Sequence, residues 1–306
     1  MISDRLLVTA VRWFLGSLAV LPRQIAYPWA ETLAEVIYHL DRKHRHIGMV
    51  NLGIAFPSIT GRERRRILKT SYRVQGIHAV ELAWLARARA EDIAERVGYE
   101  PGRGLEHYLH ARETGKGVLF LTAHIGVWEL LPAAHAVLGH PLSFVVRPLE
   151  SPGLDAWATG LRERFGNRVI SKYGSLRHLL RELETGGDVG LLIDQNVQPK
   201  DGVFVPFFGH PACTAATPAL LALRTGCPVI TGFLVPGEEK GRYLIRFYPP
   251  LEISHTGDRE RDVRENTARF NQAIESVIRE FPHCWLWGHR RFGTQPDGRD
   301  IYASGR

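Results

Sequence analysis

Residues 117–130 read GVLFLTAHIGVWEL, and the fold turns on how this stretch is divided. Gly117 to Thr122 is a run of apolar and β-favouring residues too short for a helix, which predicts a buried strand of a parallel sheet. Ala123 to Gly126 carries the small residues of a tight turn. Val127 to Leu138, with Pro132 in its first half, predicts the helix that follows. His124 then sits at the carboxyl end of a strand, where open α/β sheets gather their ligands. Glu129 is five residues further on, and on one continuous helix the two side chains would point about 140° apart. With His124 in the turn and Glu129 in the first helical turn, they can face one another. Glu129 is then expected to accept a hydrogen bond from one ring nitrogen and leave the other free to take a proton. An acid beside a helix N-terminus is also accounted for by the helix dipole alone, so the pair needs support from the rest of the chain.

At 306 residues with 44% hydrophobic content, the chain can bury a large core in one or two domains. Its formal charge is +7, and residues 1–99 hold 15 Lys and Arg against 9 Asp and Glu, or +6. A basic end on a nearly neutral body suggests a surface for anionic membrane or an acidic carrier. Nucleic acid is not expected, since no zinc-finger spacing, Gly-rich RNA loop or long basic helix accompanies the charge. Cys213, Cys227 and Cys284 are few and far apart, which speaks for small buried side chains and against a disulfide scaffold or a CxxC metal site.

The first third reads as a helical region, 1–99, and the remainder, 100–306, as an α/β domain. Leu6 to Leu21 is an apolar helix containing Arg12 and Trp13 and stopping at Pro22. It falls short of the ~20 apolar residues needed to span hydrocarbon and lacks a secretory cleavage pattern. An interfacial anchor is therefore expected, with a buried core helix as the alternative. A second amphipathic helix covers Ile25 to Leu40. The basic cluster Arg42, Lys43 and Arg45 follows it, and a further charge run, RERRR, opens the helix at 62–75.

Short apolar strands alternate with helices from residue 105 to 235, which gives an α/β fold. LSFVV at 142–146 ends at Arg147-Pro148, where a guanidinium can reach a crevice carrying negative charge. VGLLI at 189–193 ends in Asp194-Gln195-Asn196, again at the expected carboxyl edge. GVFVPFFG at 202–209 holds a proline and two glycines, so a loop lining an apolar pocket is expected there, with Phe204, Phe207 and Phe208 as candidates for its lining. Tyr243 to Phe247 alternates like an exposed edge strand. Trp285-Leu286-Trp287 followed by Arg290-Arg291 suggests a sealed apolar groove with phosphate binding at its mouth.

Together these stretches resemble the lipid A biosynthesis acyltransferases, the late lauroyl and myristoyl transferases of the lysophospholipid acyltransferase superfamily. The matching pieces are NLGIAFP at 51–57, TAHIGVWE at 122–129, Arg147-Pro148, DQN at 194–196, GVFVPFFG at 202–209 and WLWGHRRF at 285–292. Ile125-Gly126-Val127 and His283-Cys284 depart from the more usual residues around these motifs. The resemblance implies a mixed, mainly parallel sheet flanked by helices, glycerolipid-acyltransferase-like, with an N-terminal membrane-association region. It implies transfer of a fatty acyl group from acyl carrier protein to a hydroxyl of a lipid A precursor at the cytoplasmic face of the bacterial inner membrane. It places the family's His-four-residues-acid motif on His124 and Glu129 and its supporting Arg and Asp on Arg147 and Asp194. No cofactor or metal is needed.

On that reading His124 removes the hydroxyl proton and Glu129 stabilises the imidazolium. Backbone N–H groups near Gly126 are candidates for the oxyanion, Arg147, Arg290 and Arg291 for charged substrate, and Asp194 for holding Arg147 or the local turn. The alternatives are a related acyltransferase acting on another glycolipid or phospholipid or using acyl-CoA, and an inactive membrane-binding protein.

Overall fold

The computed structural model describes residues 4–172 and 174–303. Helices α1 (Asp4–Val20), α2 (Arg23–Leu40), α3 (Arg42–Ala55), α4 (Gly61–Leu85) and the short α5 (Ala90–Ala94) precede the first strand, β1 (Val97–Tyr99). There follow α6 (Leu105–Arg112), β2 (Leu119–Thr122), α7 (Leu130–Val137), β3 (Ser143–Val146), α8 (Pro152–Glu163), β4 (Arg168–Ser171), α9 (Ser175–Glu184) and β5 (Val189–Leu192). The chain finishes with β6 (Gly202–Phe207), β7 (His210–Ala215), α10 (Thr217–Thr225), β8 (Val229–Pro236), β9 (Tyr243–Phe247) and α11 (Arg259–Glu280).

Seven strands form one sheet in the order β1-β9-β8-β2-β5-β3-β4, parallel throughout except where β8 meets β9. The expected mixed, mainly parallel sheet flanked by helices is therefore the observed architecture. Alternation along β2 sends Leu119 and Leu121 into the core on the side of α9, α10 and α11. Val118 and Phe120 point the other way, among residues of α4, α6 and α7. Gly117 leads into β2 so close to the neighbouring chain that a Cβ there would lie 1.8 Å from the Gly187 carbonyl oxygen, which only glycine allows.

Three local expectations change. The helix after β2 begins at Leu130 rather than Val127, because residues 123–129 are used by the turn. β9 is not an edge strand: β1 pairs along its outer side, and four of its five residues are buried. Gly202–Phe207 is not a loop but one arm of a hairpin with β7, outside the main sheet, where Pro206 faces Pro211 and no central ladder is broken. Phe208 (φ 51°) and Gly209 (φ 76°) form its two-residue turn. The left-handed Phe208 is offset by burial of its ring.

The N-terminal helices do not bury all their apolar surface. Trp13, Phe14, Trp29 and Leu40 are 78%, 53%, 67% and 75% exposed on α1 and α2, although Ala26, Tyr27 and Ala30 pack inward. Among the described residues no helix is long and apolar enough to cross a membrane.

Candidate active site

β2 and β5 are neighbours in register, with Thr122 opposite Leu192, and the Ile193 N–H donates to the Thr122 carbonyl at 3.1 Å. The residues two beyond each strand end therefore meet. Asp194 Oδ1 lies 2.8 Å from His124 Nδ1, and its Oδ2 accepts from the His124 backbone N–H at 3.0 Å and from Trp285 Nε1–H at 2.8 Å. Burial alone would raise the Asp194 pKa, but the His124 charge and these donors hold it far below the usual carboxylate range. Burial also opposes the charged form of His124, yet Asp194, with a smaller contribution from Glu129, carries its pKa above the ordinary value.

An ionised carboxylate only accepts, so Nδ1 carries the ring proton in neutral His124 and Nε2 keeps its lone pair. The Gln195 side-chain amide lies 3.3 Å from that Nε2. Gln195 is exposed, so it can turn aside for a hydroxyl. The Trp128 ring meets His124 edge-on at 5.1 Å, and His78 stacks behind it at 3.8 Å. Burial depresses the His78 pKa to about 4, so this second imidazole is neutral.

Glu129 does not orient His124. Its carboxylate forms a two-pronged pair with Arg162 of α8, Oε1 to Nη2 at 2.5 Å and Oε2 to Nε at 3.1 Å. Residues 125–128 turn the chain away between the two side chains, and Asp194 already occupies the Nδ1 side. Burial would raise the Glu129 pKa, but Arg162 chiefly, with His78 and His124, holds it below the ordinary value. Glu129 thus acts on His124 through space.

The turn after β2 is clamped by the C-terminal stretch. Ile125 and Trp285 form an antiparallel bridge, Gly126 N–H donates to the Cys284 carbonyl at 2.9 Å, and Leu286 N–H donates to the His124 carbonyl at 3.1 Å. Gly126 adopts φ 60° to make this turn, and its committed N–H is no free oxyanion donor. His289 joins the same clamp, its Nε2 accepting the Asn196 N–H at 3.0 Å. Burial brings the His289 pKa down to about 4, as that acceptor role requires.

The remaining candidates separate. Arg291 is fully buried, donating to the Cys213 carbonyl at 3.0 Å and to Thr214 Oγ1 at 2.6 Å, with its guanidinium 4.6 Å from the Phe207 ring centre. It ties the hairpin to the clamp and cannot bind substrate phosphate. Arg290 is exposed and pairs with Asp300. Arg147 is exposed past the end of β3, two strand spacings or about 10 Å from the β2 end. Asp194 holds His124 and Trp285, not Arg147. Phe207 and Phe208 are packed against each other at 5.0 Å, with Trp285 beside the first and Phe56 beside the second, which makes them core residues. Only Phe204 of the three is partly open. Cys213, Cys227 and Cys284 are buried and free.

The sequence reading passed over Arg162 and gave His289 no role. Arg162 stands 33 residues from Glu129 with no motif around it, whereas His289 lay inside a quoted motif. Among the described residues no group of three or more His, Cys, Asp or Glu side chains is placed to hold a metal ion.

A model of the bacterial lipid A biosynthesis acyltransferases matches residues 2–294. A lipid A biosynthesis acyltransferase of Haemophilus influenzae is 24% identical over 290 residues, covering 95% of this chain and 88% of the relative. The lipid A biosynthesis lauroyltransferase of Escherichia coli is 26% identical, over 91% of this chain and 88% of its own. The palmitoleoyltransferase of the same organism is 27% identical, over 84% and 81%. With the match running through the strand ends that carry His124 and Asp194, the chain belongs to the bacterial lipid A biosynthesis acyltransferase family.

Proposed function

We propose that the protein transfers a fatty acyl group from an acyl carrier protein thioester to a hydroxyl of a lipid A precursor, with His124 as general base oriented by Asp194. The observation that carries this reading is the His124 Nε2 lone pair at the sheet's carboxyl edge, with Nδ1 held by a buried carboxylate. As the hydroxyl oxygen attacks the thioester carbonyl, its proton passes to Nε2. Asp194 and, through space, Glu129 stabilise the imidazolium. Collapse of the tetrahedral intermediate breaks the carbon–sulfur bond, and the leaving thiolate takes the proton from Nε2. No acyl-enzyme is needed.

The exposed aromatic and aliphatic side chains of α1 and α2 support work at a membrane surface, taken to be the cytoplasmic face of the bacterial inner membrane. Tryptophans are suited to that interface, and the excess positive charge of the first third favours anionic lipid.

The test presents the purified protein with acyl carrier protein bearing a radiolabelled acyl thioester and a hydroxylated lipid A precursor, identifies the product by mass spectrometry, and floats the protein with anionic vesicles. Acylation of the free hydroxyl, none of a hydroxyl-blocked precursor and co-flotation are expected. Transfer from acyl-CoA alone would overturn the donor, a product on another lipid the acceptor, and a freely soluble protein the membrane role.

A further inference from the structure

Where α3 begins, a cavity of about 460 Å³ opens between its first turns and the C-terminal stretch. Arg42, Lys43 and His46 line it from the helix, and Arg290, Asp300 and Tyr302 from the other side. This volume falls in the ~300–1,000 Å³ range of small-molecule sites. The cavity is built, not incidental. Asn51 is fully buried and ties α3 to the opposite wall, donating to the Trp287 and His289 carbonyls at 2.7 and 2.8 Å and accepting the Tyr302 hydroxyl at 2.6 Å. His46 Nε2 donates to the Tyr302 carbonyl at 3.1 Å, and the Arg290 guanidinium lies over the Tyr302 ring at 5.0 Å.

Its charge is unbalanced. Arg290 is paired with Asp300, whereas among the described residues neither Arg42 nor Lys43 has an acidic partner. Three cationic side chains less Asp300 leave two net positive charges. The two residues also occupy the first turn of a 14-residue helix, whose N-terminus is already capped by the Asp41 carboxylate accepting the His44 N–H at 3.0 Å, so the anion is left to the side chains.

We propose that this cavity is a phosphate subsite that seats a phosphate ester on the sugar headgroup of the acceptor. A phosphate monoester carries about 1.5 to 2 negative charges at pH 7 and three strong acceptor oxygens, which matches the two uncompensated cations and the fork of Arg290. A carboxylate would leave one charge unmatched. The cavity is also wired to the reacting edge: Arg290 follows His289, which accepts the Asn196 N–H, and Asn196 follows the residue that touches His124 Nε2. This inference rests on the acyltransferase reading above for its substrate but not for its anion. Asp300 is a competitor for Arg290, so removing its charge strengthens the site while removing Arg42 or Lys43 weakens it.

The experiment follows inorganic phosphate binding by phosphorus NMR in the full chain and in Arg42→Gln, Lys43→Gln, Arg42→Gln/Lys43→Gln and Asp300→Asn, with circular dichroism as the folding control. Each cation loss is expected to weaken binding about tenfold, as for a hydrogen bond to a charged group, and Asp300→Asn to tighten it. In the transfer assay, the cation variants should raise the acceptor KM with kcat little changed, and that rise should vanish with an enzymatically dephosphorylated acceptor. A rise confined to the donor KM keeps the phosphate site but overturns the acceptor as its source, in favour of the carrier's phosphodiester arm. Equal phosphate affinity in the wild type and the folded double variant, or no binding to either, overturns the subsite. Wild-type protein that binds phosphate through Arg42 and Lys43 yet transfers no acyl group defeats the catalytic reading and leaves the subsite standing.

Discussion

Two carboxylates flank His124, and their different anchoring teaches what each can do. Asp194, at the end of β5, is buried and spends both oxygens on the site itself, receiving Nδ1, the His124 backbone and the Trp285 indole. Glu129, just before α7, spends both on Arg162 of another helix. The first fixes a tautomer and a ring orientation; the second supplies a partly neutralised charge and fastens α8 to the turn. A hydrogen bond is a statement about direction, and of the two acids only Asp194 makes one to the ring.

The comparison breaks outright if His124 is not the group both acids serve. His124→Ala is expected to lose about 10²–10⁴-fold in transfer rate while circular dichroism stays unchanged, and a folded variant at the wild-type rate would sink the mechanism. Asp194→Asn comes next, with a loss of about 10²-fold from misorientation of the ring. It also carries a sign. A general base must be neutral to act, so kcat/KM should rise with pH through the His124 pKa, which Asp194 carries above the ordinary imidazole value. Removing the Asp194 charge lowers that pKa, so the acid limb should move to lower pH even as the plateau falls; an unmoved limb would deny that Asp194 acts on the imidazole.

Glu129→Gln should move the same limb in the same direction by less, since Glu129 is the smaller influence on His124. It should cost roughly tenfold in rate, at the lower end of what a through-space charge can supply. It leaves Arg162 unpaired, with an expected stability loss of about 1–3 kcal/mol by chemical denaturation. A combined Glu129→Gln/Arg162→Gln variant should recover part of that loss without recovering rate. If Glu129→Gln proves as damaging to rate as Asp194→Asn, the two acids are equivalent and the distinction drawn from their anchoring is wrong.

Much of the body was legible because apolar runs of β2, β5 and β8 are bounded by turn residues, and the polar residues that follow β2, β3 and β5 fell at the carboxyl edge as that pattern requires. β1 was not, since three residues, Val97–Tyr99, carry too little pattern to announce a strand. β7, HPACTA, hides behind a proline and small polar residues. At the site, His124 and Asp194 were each visible locally. Their pairing was not, because it depends on β2 and β5 being neighbours although β3 and β4 lie between them in the chain. Charge misled for Arg291, where two adjacent arginines have opposite fates and only tertiary packing separates the exposed one from the buried one.

The clamp formed by Cys284, Trp285 and Leu286 on the turn at 124–126 bears on the order in which the protein becomes competent. All seven strands of the sheet are complete by Phe247, and the histidine and its aspartate have been made long before. The donors and acceptors that hold their turn lie some 160 residues downstream of it and are made after the whole sheet. A nascent chain can therefore assemble its whole sheet while the indole that steadies Asp194 is still absent.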